Sequence, residues 1–204
     1  MEILLVRHGE SVWNRQQRIQ GRKDPGLSEH GKKQALAVAK HLKREGIEVI
    51  YASGLRRCAQ TARIIALRTG AKVKFRPEIE EITLGVWQGK TIEEVKKLYP
   101  KSYAAWLKVP SRARIPGWEG VPKFTKRVNR AFRSILEENS STNICVVTHW
   151  GVIAAYLSNT LDADFDHIFQ GVRVDNCGIS KISYENGKAI IQCINDTRCL
   201  GKAI

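Results

Sequence analysis

The sequence predicts an α/β fold: a three-layer sandwich with a mostly parallel central sheet, helices on both faces, and a small helical and loop cap insertion. Three observations carry this reading. The runs Ile3 Leu4 Leu5 Val6 and Ile144 Cys145 Val146 Val147 are continuously apolar rather than alternating, as strands buried on both faces are. Stretches with helical spacing stand between the apolar runs, as the crossovers of a parallel sheet require. Residues 85–121 interrupt that pattern with Pro, Gly and Trp, and read as an insertion over the strand ends. With 204 residues and 43% apolar side chains, the natural organisation is one domain, 1–204, with 85–121 as its cap.

The first strand runs into Arg7 His8 Gly9 Glu10 Ser11. Open α/β sheets place their chemistry at such strand ends. A histidine beside an arginine, with a glycine that lets a ligand approach, suits attack on a phosphoryl group. The imidazole would be the nucleophile and the guanidinium a forked donor to the phosphoryl oxygens. The polar stretch 15–26 has no period and reads as a loop, and Asn14, Arg18, Gln20 and the Gly21 amide are within reach of an anion held there.

Ser28 caps a helix with Ala35, Val38, Ala39 and Leu42 on one face, closed by Gly46. Ile47 to Tyr51 is a strand, and Ser53 is the expected N-cap of a helix running to about Gly70. Arg57 in its first turn opposes the helix dipole, a placement poor for stability and good for holding an anion. After a short strand, Val73 to Phe75, the residues Glu78, Glu80 and Glu81 cluster in a strongly basic chain, and one of them is a candidate proton donor.

Thr91 and Glu94 form a capping box opening a helix that closes before Pro100, and a shorter helix covers about 102–108. Trp87, Trp106 and Trp118 belong either to a cap on the site or to peripheral packing. The helix 122–139 sets Phe124, Val128, Phe132, Ile135 and Leu136 on one face and its basic residues on the other. The second apolar strand ends in Thr148 His149 Trp150 Gly151, repeating the plan of the opening motif, and a helix follows over 152–161. A parallel sheet would bring the two histidines together. Ile179 to Tyr184 and Ala189 to Ile194 alternate about Asn186 Gly187, a type I′ hairpin signal at a sheet edge, which leaves a homodimer through that edge open.

The formal charge of +14 points to an anionic ligand or partner. Lys and Arg are scattered, without a basic arm interleaved with aromatics, which argues against nucleic acid. Five cysteines without C-x-x-C spacing imply neither a zinc site nor a disulfide framework. Met1 Glu2 leads directly into the first strand and no apolar run reaches membrane-spanning length, so a cytoplasmic protein with no membrane association is expected.

Together these residues resemble the histidine phosphatase superfamily, in the branch of cofactor-dependent phosphoglycerate mutases and small-molecule phosphatases. The first signature is matched by Leu5 to Ser11 with Trp13, Asn14, Gln20 and Gly21, the second by Ser53 to Ala62, the third by Glu81 Ile82 with Gly85, Trp87 and Gly89, and the fourth by Val147 to Gly151. Asn195 Asp196 Thr197 resembles the phosphatase-type tail. The resemblance implies His8 as nucleophile, Arg7, Arg57 and an imidazolium His149 as phosphate-binding cations, and Glu81 as general acid. It places Ser11, Asn14, Gln20, Gly21 and Trp150 on the substrate, and it implies no metal and no cofactor. Trp150 stands where the family commonly has a small residue, and Cys199 where related phosphatases often have histidine. The paired arginines with which mutases hold a carboxylate are not evident, although Arg112 and Arg114 lie in that region. The expectation is a metal-independent phosphomonoesterase acting on a small phosphorylated metabolite through a phosphohistidine intermediate. A bisphosphoglycerate-dependent phosphoglycerate mutase and a catalytically weak phosphate-recognition module are the alternatives.

Overall fold

A computed structural model of the chain describes residues 1–139, 142–185 and 187–201. Strand β1 (Glu2–Arg7) is buried over its four central residues, and the one-turn helix α1 (Val12–Arg15) follows it. Helix α2 (Glu29–Leu42) starts at Ser28, whose hydroxyl accepts the Gly31 N–H, and buries Ala35, Val38, Ala39 and Leu42 as their spacing predicts. Then come β2 (Ile47–Ala52) and α3 (Arg56–Thr69), the latter closed by Gly70 at φ 77°. Ser53 is not its cap. The N-cap is Leu55, with no side-chain bond, because the Ser53 hydroxyl shares a hydrogen bond of 2.8 Å with His149 Nε2 and the helix begins at Arg56.

Beyond β3 (Lys72–Phe75) lie α4 (Ile92–Leu98), opened by the Thr91 and Glu94 capping box, and α5 (Pro100–Lys108). Pro100 is the first residue of α5, where its fixed φ and missing N–H suit a helix start, so the helix begins earlier than the expected 102. Helix α6 (Val121–Glu137) buries Phe124, Val128, Phe132 and Ile135. Next are β4 (Asn143–Thr148), α7 (Trp150–Thr160) and α8 (Phe165–Gly171). Helix α8 has no counterpart in the sequence reading; Asp164 caps it by accepting the Asp166 N–H at 2.7 Å. Strands β5 (Ile179–Glu185) and β6 (Lys188–Asp196) pair antiparallel. The expected Asn186 turn and the end of the tail, 202–204, lie outside the described residues.

Among the described residues the sheet has the order β3-β2-β4-β1-β5-β6, parallel through its first four strands and antiparallel over the last two. The two continuous apolar runs occupy its centre for a physical reason. Ile3, Leu5, Ile144 and Val146 pack with α6 and α7, while Leu4, Val6, Cys145 and Val147 pack with α2 and α3. A polar residue at any of these positions would be buried on one face or the other. Residues 85–121 contribute a smaller cluster in which Trp87 is buried with Val95, Ala113 and Ile115, and Trp106 and Trp118 pack against it. No helix among the described residues is long and apolar enough to cross a membrane.

Candidate active site

The parallel register pairs Arg7 with Thr148, so the next residues, His8 and His149, leave adjacent strands side by side. The His8 N–H donates to Thr148 O at 2.9 Å, and the two rings meet edge to face with centroids 5.3 Å apart. His8 is 3% exposed. Its Nδ1–H donates to Gly9 O at 2.7 Å, and since a carbonyl only accepts, the neutral ring keeps its lone pair on Nε2. Burial, and then the positive charges of Arg57 and Arg7, hold its pKa well below the usual histidine range.

Arg57 is 1% exposed, with Nη1 donating to Lys23 O at 2.9 Å and Nη2 to Gly21 O at 2.8 Å. Arg7 Nη1 donates to Val174 O at 2.6 Å. Both guanidiniums are thus held by carbonyls rather than carboxylates, and the Nε of each is buried without a hydrogen-bond partner. A buried cation so held is best satisfied by an incoming anion.

Of the three clustered glutamates, Glu81 lines the cavity; Glu80 faces Arg22 at 3.8 Å and Glu78 is exposed. Glu81 Oε1 accepts the Ile82 N–H at 3.0 Å and Oε2 the Gly151 N–H at 3.4 Å. Burial raises its pKa and favours the protonated acid, against the pull of those amides and of Arg57. Arg127 on α6 grips Glu119 at 2.6 and 2.9 Å and donates to Glu78 O at 2.7 Å and Glu81 O at 3.1 Å, which pins the backbone that carries the acid. The approach of Glu81 also requires Gly151, since a Cβ there would stand 2.5 Å from Glu81 Oε1.

These groups form one end of a cavity of about 340 Å³, whose polar lining is Arg7, His8, Gln20, Gly21, Arg57 and Glu81. The remainder is apolar: Ile19, Ile82, Leu84 and Ile92, with the rings of Trp106, Trp150 and Phe169. Gln20, Gly21 and Trp150, expected to contact the substrate, are among the lining residues. Ser11 and Asn14 are not among the lining residues. They close the capping box of α1, and the buried Ser11 hydroxyl donates to Gln20 Oε1 at 2.8 Å, steadying a residue that does line the cavity. Arg18 is also turned away, with Nη1 donating to Gly89 O at 2.8 Å.

His149 departs from the expected imidazolium. Burial, then Arg57, His8 and Arg7, hold its pKa well below the usual range, because a third cation beside two guanidiniums in a low-dielectric site is unfavourable. These effects favour the neutral ring, whose Nε2 shares a hydrogen bond with Ser53 Oγ at 2.8 Å and lies 3.4 Å from Cys58 Sγ. Burial pushes that thiol up to about 12, so it stays protonated.

Several supports join residues distant in the chain. Asn176 Nδ2 donates to His8 O at 2.9 Å, and the Asn195 side chain is bonded to Asp175 at 2.8 and 2.9 Å. The tail thereby steadies the turn that carries Val174 O and Asn176 to the Arg7 His8 pair. A carbonyl such as Val174 O has no sequence signal at all, and Phe169 was hidden in the unforeseen helix α8. Among the described residues no three His, Cys, Asp or Glu are grouped so as to hold a metal ion.

The chain is 35% identical over 202 residues to phosphoserine phosphatase 1 of Hydrogenobacter thermophilus, covering 99% of this chain and 95% of that protein. It is 32% identical over 185 residues to the probable phosphoglycerate mutase GpmB of Yersinia enterocolitica, covering 91% and 86%. The solved structure of Bacillus stearothermophilus YhfR superposes with a TM-score of 0.93 at 25% identity over 98% of each chain. The model of the histidine phosphatase superfamily (branch 1) matches residues 3–197, and it is to this family of enzymes that the chain belongs.

Proposed function

We propose that the protein is a metal-independent phosphomonoesterase that acts on a small phosphorylated metabolite through a phosphohistidine on His8. One observation carries the reading: a neutral imidazole, its Nε2 lone pair free, shares a cavity with two guanidiniums held only by carbonyls. Such a site suits an anion and offers a nucleophile to it.

In the first step His8 Nε2 attacks phosphorus in line, the P–N bond forms and the ester P–O bond breaks. Glu81 gives its proton to the departing alkoxide. Arg7 and Arg57 stabilise the equatorial oxygens, while His149, fully buried and not among the cavity-lining residues, packs edge to face against the His8 ring and positions it. In the second step Glu81, now a carboxylate, takes a proton from water while the oxygen attacks phosphorus, the P–N bond breaks, and inorganic phosphate leaves. Gln20 and Gly21 complete the polar lining, Ser11, braced by Asn14, holds Gln20 in place, and Trp150 with residues 85–121 covers the rest of the cavity as a cap.

The test is phosphate release from a panel of phosphomonoesters in EDTA, together with trapping of an acid-labile, base-stable phosphoenzyme. Release without such a species removes the phosphohistidine. The likeness to a protein named as a mutase supports one rival, the bisphosphoglycerate-dependent phosphoglycerate mutase. Isomerisation of phosphoglycerate that needs bisphosphoglycerate and outruns release would establish it.

Gly151→Ala gives a positional check on Glu81. Alanine favours the helix, yet its methyl would displace the carboxyl. A shift of that size is expected to cost about 100-fold in kcat on an alkyl phosphate. The thermal midpoint should change little by comparison, and kcat at the wild-type level would show that Glu81 is not held at a reacting position.

A further inference from the structure

We infer that the alcohol of the substrate carries an apolar, planar body rather than a carboxylate or an ammonium group, an inference that rests on the phosphatase reading of this cavity. The cavity is divided by polarity. Its charged lining residues, Arg7, Arg57 and Glu81, all belong to the phosphate end and are committed there. The other lining residues are apolar apart from His8, Gln20 and Gly21, and three of them are aromatic. Phase by phase along the chain, α5 supplies Trp106, α7 supplies Trp150 and α8 supplies Phe169, and the Phe169 ring lies 5.4 Å from each of the other two. Aliphatic side chains, among them Ile19, Leu84 and Ile92, complete the lining.

An ionised group placed here would lose its water without gaining an oppositely charged partner among the remaining lining residues. The basic residues available to meet a carboxylate are elsewhere. Arg112 and Arg114 do not line the cavity, and Arg22 is engaged with Glu80, Glu119 and the Glu81 carbonyl. A flat apolar group, in contrast, finds aromatic rings and branched aliphatic side chains to contact. The phosphate supplies the charge complementarity and the body supplies apolar contact.

Three esters of primary alcohols separate this from the chemistry, since their leaving groups are alike: phenylpropyl phosphate, ethyl phosphate and phosphoserine. Wild-type kcat/KM should fall in that order, with phenylpropyl phosphate ahead of phosphoserine by about tenfold or more. Calorimetry on His8→Ala, which cannot turn the esters over, should give the same order of affinities. In Trp106→Ala and Phe169→Ala the preference for phenylpropyl over ethyl phosphate should shrink at least about fivefold. Both esters are measured on one preparation, so partial unfolding cancels from the ratio. Phosphoserine bound or hydrolysed as well as phenylpropyl phosphate, or a ratio unmoved in both variants, overturns the inference. The predicted order in binding with no turnover of any ester would remove the phosphatase reading and uphold the apolar subsite.

Discussion

His8→Ala is expected to lower kcat for every phosphomonoester by at least about four orders of magnitude while the protein stays folded. The size of the loss follows from the role. Arg7 and Arg57 would still gather the phosphoryl group and Glu81 would still offer its proton, but nothing would form the bond to phosphorus. Water attacking directly would have to reach phosphorus from the place the imidazole vacates, without a base positioned for it. The fold should tolerate the change. His8 lies beyond the end of β1, its ring makes one hydrogen bond, to Gly9 O, and the loss of that bond costs about 1–3 kcal/mol. Steady-state kinetics, a thermal melt and the phosphoenzyme trap check the three statements separately. Retained turnover in a folded variant would remove His8 as nucleophile, whatever the rest of the site does.

The parts of this site that were legible in the sequence are those set by local pattern. The runs Ile3 to Val6 and Ile144 to Val147 announce central strands because consecutive residues enter different cores, and a central parallel pair puts the following histidines side by side. Arg57 was legible as a cation out of place at a helix N-terminus. What the residues alone left open depends on neighbours distant in the chain. Ser53 has the chemistry of a cap, and only the fold shows that its hydroxyl is used by His149, 96 residues on. Three glutamates within four positions are equivalent in composition, and Glu81 differs from the others by where the turn points it. The charge state of His149 is a property of Arg57 and Arg7 beside it, so no reading of Thr148 His149 Trp150 could have found it. Helix α8 was missed because Phe165 and Ile168 are its buried apolar residues within a short seven-residue element, too brief for a period to stand out.

The same opposed environments predict how Glu81→Gln behaves. In water the two groups would work against each other: a glutamate with a pKa of 4.5 loses its proton before a histidine at 6.5 becomes neutral. Burial acts on both, in opposite directions. It disfavours the carboxylate, raising Glu81, and it disfavours the imidazolium, lowering His8, so both shifts act in the direction of a neutral imidazole beside a protonated carboxyl, the pair that the proposed mechanism uses. For an alkyl ester, kcat/KM should therefore fall on the acid side as His8 takes up a proton, below the usual histidine range, and on the alkaline side as Glu81 loses its own, above the usual carboxylate range. Glutamine keeps the shape and cannot give a proton. On an alkyl phosphate, Glu81→Gln is expected to lose about 100-fold to 10,000-fold, and its residual rate should show no alkaline limb from this group. On nitrophenyl phosphate, whose leaving group needs little protonation, the loss in forming the phosphoenzyme should be far smaller, and breakdown of the phosphoenzyme should become the slow step because the base for water is gone. A burst of nitrophenolate followed by a slow steady state would display that change directly. Equal losses on the two esters, with the alkaline limb intact, would assign proton donation to another group.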